Sequence, residues 1–137
     1  MAYGNLKFDT LITSDSKNTS VDKSIDTSYI FNGVAKAWIY AQDGLGSILD
    51  SYNVTSLDDD GTGDGGVNIT NDMSSVNYVI TGMTDDDGTS DSWALVDITN
   101  GTQAAGSFDF ETHWGNAGNN RTNSDMETYL VVHGDLA

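Results

Sequence analysis

The stretch SYNVTSLDDDGTGDGGVNIT, residues 51–70, decides the fold. Polar and apolar residues alternate through its first half, which is typical of a half-buried strand. A run rich in Asp and Gly follows at residues 58–66, and these residues favour tight turns because they accept unusual backbone angles. A second short alternating run then carries Val67 and Ile69. The stretch therefore predicts a β-hairpin.

Similar alternating runs lie on both sides of this hairpin. Together they predict seven strands, at residues 34–40, 47–57, 66–70, 76–83, 92–99, 106–112 and 126–133. Asp-Gly and Asn-Gly pairs separate many of them, and no stretch keeps an apolar stripe of helical period. We therefore predict an all-β fold, an antiparallel β-sandwich of jelly-roll-like type.

The alternation also assigns side chains to faces. In the strand at 34–40, Trp38 and Tyr40 share one face. In the strand at 126–133, Tyr129 and Val131 lie opposite Leu130 and Val132. We expect the tryptophans of such strands to pack into the core or an interface, since buried Trp is the common case.

The N-terminal segment differs from the rest. Leu6, Phe8 and Thr10 alternate with polar residues, which indicates a short strand, and residues 13–27 are polar and rich in Ser, Asp and Lys. We therefore predict an extended N-terminal arm over residues 1–32 and a β-sandwich domain over residues 33–137.

Composition limits the classes of function. The chain has 137 residues, 21 acidic against 5 basic, and a formal net charge of -16. Such a surface repels nucleic acid and anionic membranes, so we predict no nucleic-acid binding and no membrane insertion. Cys is absent, which excludes disulfides and thiolate metal sites. The apolar fraction of 37% indicates a thin core, which oligomerisation would extend.

Two Asp clusters are the most suggestive chemistry in the chain. They share the pattern D-D-D-G-T-x-D, and their candidate ligands are Asp58, Asp60, Asp64, Asp85, Asp87 and Asp91. Calcium takes six to eight oxygen ligands, which such loops supply, but neither cluster fits the EF-hand pattern. The alternative is that both clusters are hairpin turns, which need no cofactor.

A second candidate site follows the strand at 106–112. Trp114 precedes a long polar loop, and with Asn116, Asn119 and Arg121 it forms a candidate ligand-binding group; the alternative is that Trp114 packs. His113 alternates with Asp109 and Glu111 on one strand face, which we interpret as a solvated face. We predict no enzyme, because no nucleophile or orienting partner is placed by spacing.

Three pieces of the sequence resemble appendage proteins of phages, especially tail-fibre-like proteins of marine podoviruses. They are the N-terminus at residues 1–11, the segment GVAKAW at 33–38, and the hairpin at 51–70 with its continuation through residue 82. The resemblance covers about the first 83 residues. The chain has no coiled-coil heptads and no repetitive shaft, which separates it from a complete tail fibre.

The resemblance implies a non-enzymatic virion structural protein, a short surface appendage that is a tail fibre, tail-associated or a head-decorating knob. It would be made in the host cytoplasm and reside on the virion surface, with other virion proteins as partners and a homotrimer as the favoured oligomer. The arm would attach by β-strand addition through Leu6, Lys7, Phe8 and Leu11. The alternative function is a host-surface module that binds a glycan or a protein, with or without calcium.

Overall fold

The computed structural model describes residues 10–13, 23–42, 46–85, 93–99, 101–115, 118 and 120–137. The chain divides into two compact units, Met1–Val34 and Ala35–Ala137. Among the described residues, no helix has the length and apolar character needed to cross a membrane.

The described residues of the N-terminal unit form two strands and one helix. Strand β1 (Thr10–Thr13) pairs antiparallel with β2 (Lys23–Asp26), and α1 (Thr27–Gly33) follows directly. The helix ends at Asn32-Gly33, a pair that readily leaves helical geometry. The prediction of no helix was therefore wrong, since the end of the predicted arm over residues 1–32 forms α1. A seven-residue helix is too short to show a helical period in the sequence.

The described part of the second unit contains nine strands in two antiparallel sheets. The strands are β3 (Ala37–Ala41), β4 (Ile48–Tyr52), β5 (Val54–Gly61), β6 (Asp64–Ile69), β7 (Val79–Thr84), β8 (Trp93–Ile98), β9 (Ser107–Gly115), β10 (Arg121–Asn123) and β11 (Thr128–His133). The four-stranded sheet has the order β4-β3-β11-β7, and the five-stranded sheet has the order β10-β9-β6-β5 with β8 on the other edge of β9.

The core lies between the two sheets. Alternate residues of each inner strand are buried, because successive side chains of a strand point to opposite faces. One sheet contributes alanines and aliphatic residues, and the other contributes Phe108 and Phe110, both fully buried. The buried cluster includes Ala37, Ile39, Ala41, Val67, Ile69, Leu130 and Val132. This arrangement confirms the all-β antiparallel sandwich, while the jelly-roll-like order stays a prediction.

A corner at Asn53 carries the chain from one sheet into the other. Asn53 has a positive φ of 57°, and Asn tolerates this region better than most residues. Its amide nitrogen donates to the Lys36 carbonyl at 2.9 Å, and its amide oxygen accepts from the Asn71 backbone N–H at 2.8 Å. The prediction of one strand over residues 47–57 was therefore wrong, since β4 and β5 belong to different sheets.

The predicted hairpin is present as β5 and β6. Its turn is shifted, because residues 58–60 belong to β5 and the chain reverses between Gly61 and Asp64. Gly63 has a φ of 66°, and a Cβ there would overlap the Thr112 carbonyl. Glycine is therefore required where this turn contacts β9.

Candidate binding face

The outer face of the four-stranded sheet is aromatic. Along β3, Ala37, Ile39 and Ala41 are buried, while Trp38 and Tyr40 alternate with them and are half-buried. The core therefore takes the small and aliphatic residues, and the large rings stand on the opposite side of the sheet.

Strand register aligns these rings with large side chains on neighbouring strands. Trp38 lies opposite Tyr52 on β4 and Val131 on β11. In the next row, Tyr40 lies opposite Tyr129, and Tyr129 lies opposite Met83 on β7. We call this surface the tyrosine face; its members are Trp38, Tyr40, Tyr52, Met83, Tyr129 and Val131.

The tyrosine face is accessible to solvent at both margins. Tyr52 is 56% exposed and Met83 is 67% exposed, while the four members between them are half-buried. Asp50 of β4 lies opposite Tyr40 on the same face, so the aromatic surface is bordered by a carboxylate. Exposed apolar side chains grouped in this way are typical of surfaces that contact a partner or a ligand. Tyr and Trp suit such contacts, because each joins a large apolar ring to a polar group.

Two tyrosines at the centre of the face are held by one carboxylate. The rings of Tyr40 and Tyr129 stack with centroids 4.6 Å apart and an interplanar angle of 17°. Their hydroxyls donate to the same oxygen of Glu127, at 2.9 and 3.1 Å respectively. Hydrogen bonding with Tyr40 is the largest cause that raises the pKa of Tyr129 above its usual value. The centre of the face is therefore fixed before any partner arrives.

The outer face of the five-stranded sheet is acidic instead. Glu111 of β9 lies between Asp64 of β6 and Asp97 of β8, each its direct cross-strand neighbour. Arg121 pairs with Glu111 and lies 3.9 Å from Asp97. Asp64 has no such partner among the described residues, and burial, Glu111, Asp60 and Asp109 together raise its pKa. The two outer faces of the sandwich therefore differ sharply in chemistry.

His113 lies on this acidic face but is only 2% exposed. The indole of Trp93 packs edge-on against its ring, with centroids 5.8 Å apart. Its Nε2 lies 3.5 Å from an Asp97 carboxylate oxygen, and its buried Nδ1 has no hydrogen-bond partner among the described residues. Burial, followed by the charge of Arg121, lowers the pKa of His113. The interpretation of His113 as part of a solvated strand face was therefore wrong.

Glycine at position 115 makes room for the Trp93 indole. Gly115 lies directly opposite Trp93, and a Cβ there would overlap the indole ring. Because residues two apart on a strand share a face, the indole that crosses Gly115 also covers His113. Gly115 thus serves a packing role across two strands.

The predicted ligand-binding group is not assembled by the described residues. Trp114 lies opposite Ala94 and Thr122, whereas Arg121 lies opposite Gly115. Cross-strand partners share a face, so Trp114 and Arg121 point to opposite faces of the sheet. Asn116 and Asn119 lie outside the described residues.

The predicted calcium ligands are placed as follows. Asp58 and Asp60 lie in β5, Asp64 begins β6, and Asp85 follows β7. Asp87 and Asp91 are outside the described residues. Asp58 accepts from the Asn68 amide at 2.8 Å. Across the described part of the chain, no three His, Asp or Glu side chains form a group able to hold a metal ion.

The predicted attachment residues lie in the N-terminal unit. Leu6, Lys7 and Phe8 are outside the described residues. Leu11 belongs to β1 and lies opposite Ile25 of β2. Its strand therefore already has one antiparallel neighbour within the chain.

The tyrosine face was missed at the level of sequence, although part of its signal was present. The alternation in residues 34–40 and 126–133 already grouped Trp38 with Tyr40 and Tyr129 with Val131. What the sequence did not reveal was that both groups lie on the outer face and side by side.

Comparison of the chain with models of protein families, with curated proteins and with solved structures finds no match.

Proposed function

We propose that this chain is a non-enzymatic structural protein of a phage particle, a short surface appendage that contacts another virion protein through the tyrosine face. The observation that carries the proposal is the alignment of Trp38, Tyr40, Tyr52 and Tyr129 on one outer face of the sandwich. An aromatic, pre-ordered surface of this kind is the chemistry of a protein–protein contact, where Tyr and Trp are enriched.

The difference between the two outer faces supports this use of the tyrosine face. Carboxylates crowd the five-stranded sheet at Asp64, Asp97 and Glu111, which favours solvent on that side. On the tyrosine face, the Glu127 carboxylate already accepts from two hydroxyls. A partner that covers this face therefore buries the rings and must supply donors or a positive charge for Glu127 and for Asp50, which lies opposite Tyr40.

The virion part of the proposal rests on the resemblance at residues 1–83. It includes attachment through the N-terminal arm, a tail or head-surface position, and other virion proteins as partners. The trimer and the arm residues remain predictions from the resemblance. The location on the particle, whether tail fibre, tail-associated or head-decorating knob, is likewise proposed from the resemblance.

A second candidate function is a host-surface module that binds a neutral glycan on the same face. The observation that favours it is the exposed ring of Tyr52 beside Trp38. Sugar rings stack their C–H groups on such aromatic surfaces, and the net charge of -16 disfavours anionic glycans. Any calcium would then bind at the Asp clusters and not on the tyrosine face.

The test uses particles of the phage that encodes the chain, prepared without it. The purified full-length chain is added and the particles are sedimented. We expect the wild type to sediment with the particles and Tyr52→Thr to bind at least tenfold more weakly. Leu95→Thr is the matched control, because Leu95 is an exposed residue on the outer face of the other sheet.

Two results would count against the proposal. If the wild type does not associate with particles, the chain is not a virion protein. If Tyr52→Thr and the wild type bind particles equally, the tyrosine face is not the contact surface. Binding of the wild type to host cells and not to particles, lost in Tyr52→Thr, would favour the host-surface module.

A further inference from the structure

Strand β7 forms an open edge of the four-stranded sheet. It pairs with β11 on one side; on the other it comes close to β8 of the five-stranded sheet but hydrogen-bonds with no described strand. Its sequence is VITGMT, which contains no charged residue and no Pro, and Val79, Thr81, Gly82 and Met83 are all exposed. Such an edge is a template for pairing with another strand, and proteins usually protect it.

The other edges of the described sandwich are protected. Strand β4 carries Asp50 and has a register shift against β3. Strand β5 carries three consecutive Asp residues and two register shifts, β8 carries Asp97, and β10 has only three residues and begins with Arg121. Charges, bulges and short length are the usual means of preventing edge pairing. Among these edges, β7 is the exception.

The free hydrogen-bonding groups of β7 are identified by its ladder. The Asp85 N–H donates to the Glu127 carbonyl at 2.9 Å, so the pair 85–127 is hydrogen-bonded. Hydrogen-bonded pairs alternate along antiparallel strands, so the backbone N–H and C=O groups of Met83, Thr81 and Val79 point toward β11. The N–H and C=O groups of Ile80, Gly82 and Thr84 therefore face the open edge.

We infer that β7 pairs antiparallel with β7 of a second copy of this chain, across a two-fold axis at Thr81. In an allowed register, each residue whose N–H and C=O groups face the open edge lies opposite a residue of the same kind in the other copy. With Thr81 opposite Thr81, Ile80 and Gly82 exchange hydrogen bonds with their counterparts. The same register sets Val79 of each copy opposite Met83 of the other, which joins two exposed apolar residues on the outer face.

Charge favours a second copy at this edge over any other described edge. Each chain carries a net charge of -16, so most self-contacts bring like charges together. The β7 pairing places no charged side chain opposite another, and Thr–Thr pairs are favourable in sheets. It extends the four-stranded sheet to eight strands across the dimer. The inference goes beyond the proposed function, does not rest on it, and expects a dimer in place of the trimer that the resemblance implies.

The first test is the solution mass of the full-length chain by light scattering after size exclusion, in 0.1 and 0.5 M NaCl. We expect a dimer of twice 14.6 kDa that strengthens with salt, because salt screens the repulsion between copies. Thr81→Lys places like charges directly opposite and should weaken the dimer at least tenfold. Leu95→Lys is the control, since it adds the same charge at the β8 edge and should remain dimeric.

The second test fixes the register and does not depend on Thr81→Lys folding. The native chain has no Cys, so Thr81→Cys can form a disulfide only between copies. The Thr81 pair would be of the non-hydrogen-bonded type, in which side chains are closest. We expect a reducible dimer under mild oxidation and none with Leu95→Cys. A monomeric wild type, a dimer or trimer unaffected by Thr81→Lys, or no cross-link in Thr81→Cys would overturn the inference.

Discussion

Tyr40 and Tyr129 stack across two neighbouring strands and donate to the same oxygen of Glu127. The pair stands on the outer side of the sheet whose inner side is made of Ala37, Ile39, Leu130 and Val132. One strand pair therefore builds the core with one set of residues and a pre-ordered aromatic surface with the other. This division of the sheet into two faces is the basis of the proposed binding role.

Removing one hydroxyl of this pair should cost a measurable part of the stability. We expect Tyr129→Phe to lower the free energy of unfolding more than Tyr52→Phe does, because a hydrogen bond to a carboxylate is lost while the ring remains. Urea denaturation at pH 7 measures the change. Tyr52→Phe is the control, because Tyr52 is more exposed and its hydroxyl does not donate to Glu127. Equal effects of the two variants would contradict the role of Glu127.

Relieving the repulsion at Asp64 should stabilise the protein. We expect Asp64→Asn to raise the free energy of unfolding by about 0.5 kcal/mol at pH 7, since like charges directly opposite destabilise a sheet. The folded state raises the pKa of Asp64, so the folded state holds this proton more tightly than the unfolded chain. The repulsive cost therefore falls as pH drops through the folded pKa toward 3.8, and the advantage of the variant should vanish near pH 3.

Thermal melting at pH 7 and pH 3 checks this prediction. Asp135→Asn is the matched control, because it removes the same charge at an exposed site near the C-terminus. The stabilisation by Asp64→Asn should also shrink in 0.5 M NaCl. An Asp64→Asn variant no more stable than Asp135→Asn would show that repulsion between Asp64 and its acidic neighbours does not destabilise the protein.

His113 should make the protein less stable in mild acid. The folded state lowers the pKa of His113, so the unfolded chain binds this proton more readily. Stability from this residue is present above about pH 6.5 and is lost as pH falls toward the folded pKa. We expect His113→Phe to lose this dependence and to gain about 1 kcal/mol at pH 7.5, because it removes a buried nitrogen that has no hydrogen-bond partner among the described residues.

Urea denaturation at pH 5 and pH 7.5 measures this effect as a difference between variants. His133→Phe serves as the comparison, because it removes the other histidine of the chain. The account would be contradicted if His113→Phe and the wild type lost the same stability between the two pH values.

The β-sandwich itself was predictable, because alternation and turn residues are local signals. Residues 34–40, 106–112 and 126–133 each alternate clearly, and all three form strands at close to the predicted positions. Their inner residues also follow from the pattern, as Phe108 and Phe110 show.

The features that were missed depend on contacts between distant strands. Asn53 interrupts an alternating run that reads as one strand, and only its bonds to Lys36 and Asn71 mark the corner. His113 is buried by Trp93, a residue on another strand. The tyrosine face needs the register of four strands, which no single stretch of sequence encodes.

Two substitutions at Asn53 should separate its backbone role from its side-chain role. Asn53→Gly keeps the positive φ and loses the side-chain hydrogen bonds, so we expect a loss of about 1–2 kcal/mol in the free energy of unfolding. Asn53→Ala should cost about 1 kcal/mol more, because a Cβ is unfavourable in the left-handed region. Urea denaturation measures both. Equal losses would show that the backbone angle at the corner carries no cost.

The tyrosine face as a contact surface is tested most directly by chemical nitration of tyrosines, read by mass spectrometry, in the free full-length chain and in intact particles. We expect Tyr52 to react in the free chain, where it is 56% exposed, and to be protected in particles. Buried Tyr78 should resist reaction in both states, because it is 7% exposed and its hydroxyl donates to the carbonyls of Ala104 and Ser107. Equal nitration of Tyr52 in the free chain and in particles that contain the protein would contradict the account.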